Sequence, residues 1–143
     1  MELSTQSTVE IQRRAYGPES TPAEIQAIKE RIYLYRGAIV MYRELPIQSL
    51  FHLDLFEQRL SALGSRMPHY NLLIDLIEAE FPSAAIRTRL RKLFGAQKNL
   101  RRMAVFTGKN FIINAAARFV LGDLGDKTYS VHSTAEQAVD ALR

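Results

Sequence analysis

The second half of the chain repeats one pattern three times: an apolar stretch, a short turn and a stretch with helical periodicity. The apolar stretches cover residues 71–77, 102–107 and 127–132, and each leads into a helix that opens at a capping-type residue. The first two helical patterns close at Gly95 and Gly122, a residue that suits the end of a helix. Strand–helix units in series predict an α/β fold with a parallel sheet. Parallel neighbours need a crossover, and a helix packed on the sheet supplies it. Residues 71–77 are apolar almost throughout, interrupted by Asp75, as expected of a strand buried on both faces.

The first half supplies the rest of the sheet. Residues 32–36 and 38–43, divided by Gly37, predict two tightly joined antiparallel strands. Leu53, Phe56, Leu60 and Leu63 recur at helical spacing before Gly64. Thr21, Pro22 and Glu24 compose a capping box with proline in the first turn. Residues 1–20 are polar and contain Gly17-Pro18, which predicts a flexible arm ahead of a single domain over 21–143. The expected architecture is a mixed sheet of about five strands with about four helices packed mainly on one side. In the helix after residue 110, Ile112, Ala116, Phe119 and Val120 are expected to face the core. Ser133 and Glu136 are expected to cap the last helix.

Composition narrows the chemistry. The 143 residues contain no cysteine, so disulfides, thiolate nucleophiles and Cys-type zinc sites are excluded. No apolar run approaches the ~20 residues of a membrane span, and a cytoplasmic location is expected. His52, His69 and His132 lie far apart, without the i, i+4 spacing of a helical metal pair; no metal or other cofactor is expected. The net charge is +4. Arg87, Arg89, Arg91, Lys92, Lys98, Arg101 and Arg102 fall in one segment with no acid between them. Aromatic residues are not interleaved there as in a nucleic-acid reader, so a solvated face without specific nucleic-acid binding is expected.

Two turns carry candidate chemistry. Thr107-Gly108-Lys109-Asn110 joins a strand to a helix, where backbone N–H groups can hold an anion. It keeps only the Gly-Lys of a phosphate loop. Gly108, Lys109 and Asn110 are therefore a weak anion-site candidate beside their plain reading as a turn with an N-cap. An enzyme acting on a phosphorylated substrate would use this turn. Ser83 is the sharper candidate. It follows the strand at 71–77 and opens a helix, where a phosphate would gain the field of the helix terminus and meet Arg87 one turn on. Its plain reading is again an N-cap.

The order of elements, and the run from Asn71 through Asp75 and Glu80 to Ser83 and Ile86, resembles the STAS family, the anti-sigma-factor antagonist (SpoIIAA-like) proteins of bacteria. The resemblance covers roughly Ile32 to Leu142. Asp75 matches the family's strand Asp and Ser83 its phosphorylatable Ser, while Pro82, Ala84 and Ala85 replace the Asp, the second hydroxyl residue and the Gly around that Ser. The resemblance implies a non-enzymatic regulatory module. It implies a protein partner, a kinase or sigma-regulatory protein, held around Asp75, Glu80, Ser83 and Arg87. Phosphorylation of Ser83 would end the binding, and a homodimer is compatible with the fold. It also leaves open a small-ligand or lipid-binding module of the same fold.

Overall fold

The computed structural model describes residues 9–143. In chain order they form α1 (Pro22–Lys29), β1 (Ile32–Arg36), β2 (Ile39–Arg43), α2 (Leu50–Gly64), β3 (Tyr70–Asp75), α3 (Ala84–Gly95), β4 (Leu100–Phe106), α4 (Phe111–Leu121), β5 (Thr128–His132) and α5 (Ala135–Ala141). The strands make one mixed sheet in sequential order. The edge strand β1 runs antiparallel to β2, with Tyr33 opposite Met41. From β2 onward every pair is parallel: Met41 aligns with Leu73, Leu73 with Ala104, and Ala104 with Ser130.

This order fixes the layers. Three successive crossovers step the same way along the sheet, so connections of one hand lay their helices on one face. There Val40, Tyr42, Leu72, Ile74, Met103 and Val105 pack against Ile28, Leu53, Phe56, Leu60, Leu90, Leu93 and Val120. α5 follows the last strand and closes the opposite face, where Ala138, Val139 and Leu142 meet Met41, Leu73, Ala104 and Phe106. The α/β class, the five strands and the one-sided helical layer agree with the reading of the sequence, with four helices on one face and a fifth on the other.

Local details differ from that reading. β3 ends at Asp75, so Leu76 and Ile77 belong to the loop that follows. α5 is capped one residue later than expected. The Thr134 hydroxyl accepts from the Gln137 N–H, and the Gln137 side chain accepts from the Thr134 N–H. α2 runs through Gly64, where a Cβ would stand 2.7 Å from the Tyr70 ring; that glycine serves a close approach. In α4 the buried stripe is Ile113, Ala116, Ala117, Val120 and Leu121, while Ile112 and Phe119 face outward. Part of the expected arm, residues 1–8, lies outside the described residues. Within residues 9–20, Tyr16 is buried in the main core. Its carbonyl accepts from the Ser49 hydroxyl at 2.6 Å, and Arg13 and Arg14 pair with Glu80 and Glu24.

Two buried tyrosines make the fold sensitive to alkali. Burial pushes the Tyr42 phenol well above its ordinary range, helped by the carboxylate of Glu44 beside it. Burial also raises Tyr70. Because the folded values lie above the unfolded value of about 10, their contribution is complete below that pH and is lost as pH rises beyond it. In an alkaline titration of phenolate absorbance, these two of the six tyrosines are expected to ionise only as far-UV circular dichroism is lost. Ionisation of all six with secondary structure intact would contradict the packing described.

Candidate functional site

The carboxyl ends of the parallel strands form the edge where α/β domains present binding surfaces. Here that edge is built by the β3–α3 and β4–α4 connections. Leaving β3, Asp75 folds back: its Oδ1 accepts from the Ile77 N–H at 2.9 Å and its Oδ2 lies 3.6 Å from Nε of Arg43. Glu78 pairs with Arg31, whose guanidinium also donates to the Glu44 carbonyl at 2.6 Å. Glu80 pairs with Arg13, its N–H donates to the Pro46 carbonyl, and its own carbonyl accepts from Gln48. The acids of this loop are thus held by separate basic partners rather than facing one another as a catalytic pair.

Ser83 is the exposed N-cap of α3, its Oγ accepting from the Ile86 N–H at 3.3 Å. One turn on, Arg87 donates from Nη1 to the Pro82 carbonyl at 2.7 Å and lies over the rings of Phe81 and Phe119, 5.3 and 5.6 Å from their centres. Arg87 therefore sits beside the backbone that enters Ser83, without a carboxylate partner among the described residues. Ile77 and Phe81, 57% and 54% exposed, form an apolar rim on the loop that leads into α3, with Phe81 against Arg87. Of the residues singled out in the sequence, Ser83 and Arg87 are brought together on α3, whereas Asp75 and Glu80 are engaged elsewhere in the loop.

The Thr107–Asn110 turn is built for capping. Gly108 has φ +66°, which suits glycine. The Asn110 side-chain oxygen accepts from the Ile113 N–H at 3.0 Å to cap α4. Lys109 is exposed at its tip. His132 ends β5 with its Nε2 2.8 Å from the Ser130 hydroxyl. Among the described residues, no three His, Asp or Glu side chains are grouped to hold a metal ion.

A polar cluster not anticipated from the sequence lies beneath this edge. Glu44 follows β2 and is buried, as is His52 on the first turn of α2. The Glu44 carboxylate accepts from the Tyr42 hydroxyl at 3.1 Å, the Leu45 N–H at 2.8 Å and the His52 ring at 2.7 Å. The tautomer follows from the network: Nδ1 of His52 accepts from the Ser49 N–H at 2.9 Å, so Nε2 carries the proton given to Glu44. Tyr42 and Glu44 also line a small apolar pocket of about 40 Å³ between the sheet and helices α3 and α4, with Ile74, Leu90, Phe94, Ile113 and Val120. The only signal in the sequence was an acid placed between an apolar strand and Pro46.

The basic segment also has structural work. Arg89 pairs with Asp54 and Glu57 of α2. Arg91 donates to the carbonyls of Phe119, Val120 and Gly122 at the end of α4, and Arg102 to those of Ala141 and Leu142 near the end of α5. These three are ties between elements rather than parts of a solvated face.

No protein-family model, curated protein or solved structure matches this chain.

Proposed function

We propose that the chain is a non-enzymatic binding module of the STAS type, which presents the start of α3 to a protein partner and is switched by phosphorylation at Ser83. The observation that carries this reading is the setting of Ser83. Its hydroxyl is an exposed helix cap, preceded in its loop by the exposed apolar side chains of Ile77 and Phe81 and followed one turn on by Arg87, which lies over Phe81. Exposed apolar groups around a single cation form a surface suited to recognition. An enzyme acting on a phosphorylated substrate at Gly108, Lys109 and Asn110 has less support, because the Asn110 oxygen is used in capping α4.

A second reading, an apolar small-ligand or lipid-binding module, draws on the pocket above Tyr42 and Glu44. At about 40 Å³ it has room for a few waters rather than a lipid chain, so a carrier would have to part α3 from α4.

The test is capture of soluble partner proteins by the immobilised chain and by two surface variants. Ile77→Ser/Phe81→Ser is expected to lose the partner retained by wild type, with its circular dichroism unchanged. Tyr33→Ser/Tyr35→Ser, at the β1 edge of the sheet, is expected to retain it. Loss only in the Tyr33/Tyr35 variant would move the binding surface away from Ser83.

A further inference from the structure

α4 is apolar on nearly its whole circumference. Its inner arc packs in the core, yet its outer arc carries Phe111, Ile112, Ala115 and Phe119, with Asn114 and Arg118 as the polar residues along one side. Phe111 is 86% exposed, Ile112 66% and Phe119 64%. A surface helix ordinarily turns a polar face to water, and one that is apolar all round has a second apolar surrounding. The three bulky side chains stand out from the helix as a ridge, a shape that inserts into a soft surface.

Charge identifies that surface. From Ser83 to Gly122 the chain contains nine Lys and Arg residues and no Asp or Glu. Arg89, Arg91 and Arg102 are engaged in the ties described above. Arg87, Lys109 and Arg118 have no carboxylate partner among the described residues, and all three border the ridge. Lys109 precedes α4, Arg118 lies beside Phe111 and Ala115 on the helical wheel, and Arg87 stacks against Phe119. Aromatic and aliphatic groups flanked by unpaired cations match the boundary between acyl chains and anionic headgroups. A second copy of this chain would set cations against cations, which argues against self-association through this face. No helix among the described residues is long and apolar enough to cross a membrane, so the contact is with a surface.

We infer that the outer face of α4, with Arg87 of α3 beside it, docks on an anionic lipid bilayer. The proposal shares Arg87 with the surface around Ser83, and the variants that test it lie at Lys109 and on α4, outside that surface. The test is flotation of the full chain with vesicles of phosphatidylcholine alone or with added phosphatidylglycerol. Wild type is expected to float with the anionic vesicles and not with the neutral ones, and to be released by salt. Phe111→Ser/Ile112→Ser and Lys109→Glu/Arg118→Glu alter exposed groups, and each is expected to lower partitioning at least about tenfold with circular dichroism unchanged. Three results would each overturn the proposal: no flotation of wild type with anionic vesicles, equal flotation with neutral vesicles, or binding that Phe111→Ser/Ile112→Ser leaves intact. So would an absence of vesicle binding together with a soluble protein captured by wild type and lost in that variant, which would assign the face to a protein partner.

Discussion

Replacing Glu44 by alanine is expected to cost the domain about 3–5 kcal/mol, one of the largest effects of any single polar substitution in this chain. The reason is the number of donors that converge on one carboxylate. Removing it strands the Tyr42 hydroxyl, the Leu45 N–H and the His52 Nε2–H together. Each buried donor left without a partner costs about 1–3 kcal/mol. His52 cannot turn to another acceptor without giving up the Ser49 N–H that Nδ1 accepts, and with it one half of the α2 capping box. Tyr42→Phe, by contrast, removes one donor and leaves the carboxylate two, so a loss of about 1 kcal/mol is expected. Urea unfolding of the three forms measures the difference. A Glu44→Ala variant within 1 kcal/mol of wild type would show that water replaces the carboxylate and that the cluster does not hold β2 to α2.

How much of this was legible in the sequence depends on which interaction set each feature. The strands were legible because buried parallel strands leave near-continuous apolar runs, as at Leu72, Leu73 and Ile74. The inner face of α4 was not. With Phe111, Ile112, Ile113, Ala115, Ala116, Ala117, Phe119 and Val120 all apolar, periodicity identifies a helix and leaves its rotation open; packing against β5 and α3 decides it. The same ambiguity hid the exposed ridge. The Glu44 cluster was invisible because hydrogen bonds between a strand end and a helix start have no periodic signature. The contacts of residues 9–20 were hidden by their polarity: Tyr16 is buried among residues distant in sequence, and Ser49, Glu80 and Glu24 meet the segment in polar contacts. At the site, the position of Ser83 as an N-cap was legible from the strand before it and from the helical stripe of Ile86, Leu90 and Leu93 after it. The aromatic company of Arg87 was not, since Phe119 comes from a different helix.

The Ser83 substitutions carry the central claim. Ser83→Ala removes the oxygen that accepts from the Ile86 N–H and is expected to lower stability by about 0.5–2 kcal/mol while leaving the binding surface neutral. Ser83→Asp keeps a capping oxygen and places its charge favourably at a helix N-terminus, so folding is expected to be retained. It also sets a negative charge at the end of the loop that exposes Ile77 and Phe81, one turn before Arg87, whose guanidinium a phosphate would engage more fully. A partner seated on that apolar rim would then have to bury the charge. The most direct measurement is the partner's affinity for wild type, Ser83→Ala and Ser83→Asp, each verified as folded. Equal binding by wild type and Ser83→Ala is expected, with at least about a tenfold loss for Ser83→Asp, or about 1.4 kcal/mol. An Asp variant that binds as tightly as the other two would contradict the switch and leave Ser83 as the cap of α3.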